Sequence, residues 1–213
     1  MEVGMDVPAN HSNEHMTERI FRLGNEVVYI CVMSVVWLIA SLPLVTIGAA
    51  TIGVYTCLIS HCENGNKQYV RPFWTGFVSG LKSAMLRTFL LVALVGLTGF
   101  NAYYYCVTSH SPLGITLCVV QALLCLAGVI LVTYYAVGFA RCFAADLFGT
   151  PPTFRDACRE AISSPLKSVL IAVVTLGVPA FFIVTDLWQF AVLGIGVICY
   201  ANTRILVWKP RGL

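Results

Sequence analysis

The sequence predicts an all-α protein: a polytopic transmembrane helical bundle of about six spans, both termini cytoplasmic, with two short amphipathic cytoplasmic helices. Three observations carry this. The 213 residues are 58% hydrophobic and 11% charged, against about 25% charged in an ordinary soluble domain, so the chain lacks the polar groups to cover a water-facing surface. Several apolar runs reach the ~18 residues that mark a spanning helix, and none alternates as a barrel strand does. The lysines and arginines gather between or at the ends of these runs, in a pattern that assigns them one side of a membrane.

Residues 1–18 read as a mobile polar tail, followed by a single transmembrane domain over 19–213. The apolar runs lie near 27–42, 44–60, 86–107, 115–140, 168–185 and 187–207. Gly48-Ala49-Ala50 resembles a leader cleavage site, but Val27 to Ile47 exceeds the ~7 to 15 residues of a signal h-region, so the segment is expected to be retained. As one helix, residues 27–60 would extend roughly 51 Å at about 1.5 Å per residue, against a hydrocarbon core of about 30 Å. Pro43 removes a backbone donor and biases Leu42 toward extended backbone, and Ser41, Thr46 and Gly48 suit a turn. Two short spans joined at Pro43 are therefore expected, with residues 44–60 either crossing or re-entrant.

With six spans and the N-terminus inside, all thirteen Lys and Arg are cytoplasmic, and the turns at Pro43, Ser109–Gly114 and Asp186 carry none. Five spans would leave Arg19 and Arg22 outside. Tyr103, Tyr104, Tyr105 and Trp188 then form the outer aromatic girdle, and Trp74 and Trp208 the inner one.

Two loops contain amphipathic stretches. Val70, Phe73, Trp74, Phe77 and Leu81 recur at helical spacing beside Lys67, Arg71 and Lys82, the pattern of an interfacial helix on the inner leaflet. Thr153-Phe154-Arg155-Asp156 reads as a capping-box start, with Phe154, Ala157, Ala161 and Ile162 on one face and Arg155, Asp156, Arg159 and Glu160 on the other. Leu-Lys-Ser follows both stretches, at 81–83 and 166–168, a thin hint of duplication. Glu160-Ala161-Ile162, Leu176 and Val178-Pro179 match in spacing the element by which importer permeases dock on their ATPase, but Leu166 replaces its central glycine.

No catalytic motif stands out, and the chain is expected to be nonenzymatic, without cofactor, metal or nucleic-acid partner. Nine cysteines lie mostly inside apolar runs with no Cys-x-x-Cys spacing and read as small hydrophobes. His61-Cys62 is two ligands short of a metal site, and the four histidines have no acid at catalytic spacing. The polar intramembrane groups are Ser34, Asn101, Gln121 and Thr133, all neutral, which argues against a proton relay. Asn101 and Gln121 are the candidate ligand-binding pair, with interhelical hydrogen bonding as the plainer role. Arg141 and Asp146 read as a local ion pair.

Phe21, Gly24, Asn25, Trp37, Leu42-Pro43, Thr46-Ile47-Gly48-Ala49-Ala50-Thr51 and Tyr55 resemble the signature of the YesL-like family of small bacterial integral membrane proteins, a domain of unknown function. Weaker similarity runs through Phe73–Lys82 and the loop before Lys167. Members often carry asparagine at the Ser34 position. The resemblance implies a multi-pass protein of the bacterial cytoplasmic membrane, commonly encoded beside sugar importers and glycoside hydrolases. It lends no catalytic residue; Asn25, Trp37, Pro43, Thr46, Gly48 and Tyr55 are signature positions. The expectation is an accessory or regulatory protein of carbohydrate uptake, with the lipid bilayer and importer permease or ATPase subunits as partners and a homo-oligomer compatible. The alternative is a small-solute transporter or permease-like subunit.

Overall fold

The computed structural model describes residues 11–64, 70–108, 111–144, 152–185 and 191–207. Among them the secondary structure is helical: α1 (His11–Ala40), a 3-10 turn (Leu44–Thr46), α2 (Ile47–Asn64), α3 (Val70–Ser83), α4 (Met85–Thr108), α5 (Pro112–Ala144), α6 (Phe154–Ser163), α7 (Pro165–Val184) and α8 (Ala191–Val207). Four helices, α1, α4, α5 and α7, are long and apolar enough to cross a membrane, and α2 and α8 are shorter apolar helices.

The first helix departs from expectation. It starts at His11 and has 30 residues, so residues 11–18 are helical, and the candidate span within it, Glu18–Ala40, has 23 residues. Glu and Met in this polar stretch favour helix, and a helix fixed by packing further on can extend without an apolar stripe. Residues 1–10 lie outside the described ones. Its end is as expected: after Ala40 the chain turns, and the Thr46 hydroxyl donates to the Ala40 and Pro43 carbonyls, both at 2.6 Å. Trp37 Nε1 donates to Thr51 Oγ1 at 3.0 Å across the turn.

The 18-residue α2 is the centre of the molecule. Every residue from Ile52 to Ser60 is buried, the mark of a helix apolar all round and surrounded by others. Its neighbours are α1, α3, α4, α5 and α8.

The sequence reading lays α3 on the inner leaflet; the structure packs it antiparallel along α2. A Cβ at Gly53 would lie 2.9 Å from the Phe73 ring, and one at Gly80 would lie 3.1 Å from the Ala49 Cα, so small residues on both helices let the backbones close. Phe73, Gly76 and Gly80 are buried, while Val70, Arg71 and Trp74 stay exposed. This register carries Lys82 and Arg87 toward the Pro43 turn, where Thr88 meets Gly48, instead of leaving them with the other cations.

Helices α4 and α5 form an antiparallel hairpin, its register marked by Cys118 Sγ to the Ala102 carbonyl at 3.4 Å and Cys125 Sγ to the Val95 carbonyl at 3.7 Å. In α4 only Thr88 is buried, and α5 buries nothing between Ile115 and Val132. The hairpin joins the core at its base, through Thr88 and the buried run starting at Thr133. Helices α1 and α8 are also antiparallel: Arg204 pairs with Glu26 at 3.2 Å, and Ser34 Oγ donates to the Leu193 carbonyl at 3.3 Å.

The core lies where α1, α2, α5, α7 and α8 meet, around Tyr29, Met33, Ile52, Leu58, Phe139 and Ile171. At its charged end α6 leads into α7 through Ser164. The two Leu-Lys-Ser triplets occupy different places: 81–83 ends α3, whereas 166–168 begins α7.

Candidate functional site

The signature residues divide into two groups. Trp37, Pro43, Thr46 and Gly48 build the α1–α2 junction: the indole bond to Thr51 and the Thr46 clamp shape the turn, and Gly48 admits the Thr88 side chain at the base of α4. Pro43 is exposed, as is Asn25 on the polar side of α1. These contacts explain the residue types by packing.

Tyr55 belongs to a different setting. Buried in α2, it faces Thr133 of α5 and Asn202 and Cys199 of α8, all within side-chain interaction range. Asn202 is fully buried; its Nδ2 donates to Thr175 Oγ1 of α7 at 3.3 Å, and its Oδ1 has no hydrogen-bond partner. A buried acceptor left unpaired is costly, which makes this meeting point of α2, α5, α7 and α8 the strongest candidate for a polar ligand. Pro179, inside α7, lacks the amide that would have bonded the Thr175 carbonyl, adding a second acceptor on the same element. The groups are hydroxyls, an amide and a thiol, suited to hydrogen bonding a neutral solute or water.

Sequence reasoning named Thr133 and Tyr55 separately and missed Asn202. The available signal was an asparagine inside the last apolar run. Asn101 and Gln121 are half-buried on the α4–α5 hairpin, away from this cluster; the register puts them at similar depth, and Gln121 Oε1 has no partner. Ser34 is buried against α8, with bonds to the Ile30 and Leu193 carbonyls.

The charged end is closed by two clamps. Arg141 pairs with Glu160 of α6 at 3.2 Å and donates to the Leu206 carbonyl at 2.8 Å, joining α5, α6 and α8. Asp146, its expected partner, lies outside the described residues, as do Lys67, Asp186, Trp188 and Trp208. Glu26 accepts from the Tyr200 hydroxyl at 2.7 Å as well as from Arg204. The capping box is present: Asp156 accepts from the Thr153 amide at 2.8 Å and hydroxyl at 2.7 Å, and these bonds hold its carboxyl below the usual carboxylate range. His61 stacks on Tyr29 at 4.4 Å. Among the described residues no three His, Cys, Asp or Glu side chains converge as a metal site.

Residues 30–102 match a family model described as a protein of unknown function, DUF624. The match covers the turn, α2, α3 and most of α4, including Trp37, Pro43, Thr46, Gly48 and Tyr55. No curated protein and no solved structure matches the chain.

Proposed function

Starting from a chain whose residues 30–102 carry the DUF624 segment, the family that contains the YesL-like proteins, we propose a nonenzymatic accessory or regulatory protein of carbohydrate uptake in the bacterial cytoplasmic membrane. Its six apolar helices lie in the bilayer, and the end bearing Arg141, Arg155, Arg159, Lys167 and Arg204 faces the cytoplasm, with both termini. The α4–α5 tip, where residues 109–114 include no Lys or Arg, faces outside; the 33-residue α5 runs from it to the charged end.

The observation that carries the contact role is α6. It is fixed from within by its capping box and by Arg141–Glu160, yet it leaves Ile162 80% exposed and Arg155 and Arg159 exposed. A short helix rigidly held with an arginine-flanked apolar residue outward suits a protein contact such as an importer permease or its ATPase. Crosslinking and copurification from native membranes test this: importer subunits should be recovered with the wild-type chain and lost with Arg155→Glu/Arg159→Glu. Equal recovery from the variant, or normal sugar uptake without the gene product, would sink the reading. Outside labelling of a cysteine at Leu113, at the α4–α5 tip, but not at Arg155 tests the orientation.

The buried Tyr55–Thr133–Asn202 group favours a second reading, a small-solute transporter. In reconstituted vesicles it requires solute flux that falls in Asn202→Leu; no flux of sugars or other solutes removes it.

A further inference from the structure

We propose that Cys106 and Cys118 form a reversible dithiol–disulfide pair at the tip of the α4–α5 hairpin. Their twelve-residue separation across a turn gives no motif, and only the fold brings them together. Cys106 is exposed in the last turns of α4, one helical turn beyond Ala102. Cys118, on the second turn of α5, reaches the Ala102 carbonyl at 3.4 Å and lies within hydrogen-bonding reach of the Cys106 side chain.

The two helices approach closely along the seam below the pair. A Cβ at Gly99 would be 3.4 Å from the Cys125 sulfur, and one at Gly128 would be 2.6 Å from Val95 Cγ2, so no bulky side chain separates the helices along this seam. A disulfide needs Cα atoms about 4.4–6.8 Å apart, a distance that glycine-lined helix pairs approach. Cys125 supplies the internal control: on the same face of α5, it meets Gly99 and the Val95 carbonyl.

The chemistry is thiol–disulfide exchange with a disulfide oxidant, either a small-molecule disulfide or a thiol oxidoreductase. The exposed Cys106, as thiolate, attacks one sulfur of the oxidant and displaces the other as a thiol, leaving a mixed disulfide. Cys118 then attacks the Cys106 sulfur, releasing the second thiol. The protein loses two electrons and two protons, and the oxidant's disulfide takes both pairs as two thiols. The bond would staple the hairpin tip beside Pro112 and Gly114, away from the core. Reaction with extracytoplasmic oxidants rests on the proposed orientation; the pairing itself does not.

The test uses the full chain in native membranes, equilibrated with oxidised glutathione, then denatured and labelled with a mass-tagging maleimide. Oxidation should protect two of the nine thiols in the wild type, two of the remaining eight in Cys125→Ala, and none in Cys106→Ala or Cys118→Ala, with all three variants melting like wild type in reducing buffer. Mass spectrometry after cleavage at aromatic and leucine residues, which separates Cys106 from Cys118 at Leu113 and Leu117, should find the two cysteine fragments linked. Protection that persists in both single variants, or no protection at an oxidant level that oxidises a reference dithiol, would overturn the pair. In intact cells an impermeant oxidant should give the same protection; protection only after permeabilisation would uphold the pair and overturn the orientation.

Discussion

Gly48 sits where three elements converge: the first residues of α2, the turn after Pro43, and Thr88 at the base of α4. A methyl group there would overlap the Thr88 side chain, so Gly48→Ala should lower stability by about 1–3 kcal/mol through overpacking. Thermal unfolding in nanodiscs should show partial recovery with Thr88→Ala. Gly24→Ala is the contrast, because nothing lies within 4 Å of its added Cβ, and it should be neutral or gain up to about 1 kcal/mol of helix propensity. Asn202 poses the opposite case. Its buried Oδ1 is unpaired and it makes one bond to Thr175, so Asn202→Leu should change stability by no more than about 1 kcal/mol; a much larger loss would make the residue structural and remove the ligand-site argument. Gly48 was visible in the sequence as a turn residue. Its partner, forty positions away, was not.

At the level of elements, the apolar runs and the α1–α2 break were legible because length against bilayer thickness and the chemistry of Pro43 are local arguments. The capping box of α6 was legible for the same reason, since Thr153 and Asp156 are three residues apart. Its carboxyl titrates below the usual 3.8, and the sign follows: a depressed folded pKa stabilises the helix start above the unfolded value and is lost as pH falls through the folded one. The protection factors of the Asp156 and Ala157 amides, taken relative to intrinsic exchange at each pH, should therefore hold at pH 5 and fall below pH 3.8, and Thr153→Ala should remove that dependence. The placement of α3 was misread. Its Trp74 and basic residues match a surface helix, but Gly76 and Gly80, four apart, were the signal that its other face meets a backbone. Amphipathicity reports that a helix has two unlike sides and does not say whether protein or lipid takes the apolar one.

For the molecule as a whole, stability is concentrated in one part. The core around α2 is tightly buried, whereas the outer α4–α5 hairpin contacts chiefly itself. Phe139→Ala should cost about 3–5 kcal/mol, while Leu123→Ala, at a position 60% exposed, should fall within about 0.5 kcal/mol; melting of the two variants in the same lipid decides this. Composition pointed to apolar helices long enough to cross a membrane, and four of the described helices are. Which helix would be central could not be read, because α2 is shorter than α1, α4, α5 and α7, and hydropathy does not separate a helix surrounded by protein from one surrounded by lipid.

The isolation of the α4–α5 hairpin has a mechanical consequence. Anchored at Thr88 and Thr133 and free along its outer length, it is an outrigger beside a stiff hull. In the proposed bilayer setting, lipid pressing near its tip would act through a long arm on a short footing, and a small change in bilayer thickness would become torque where Thr88 meets Gly48 and where Thr133 meets Tyr55.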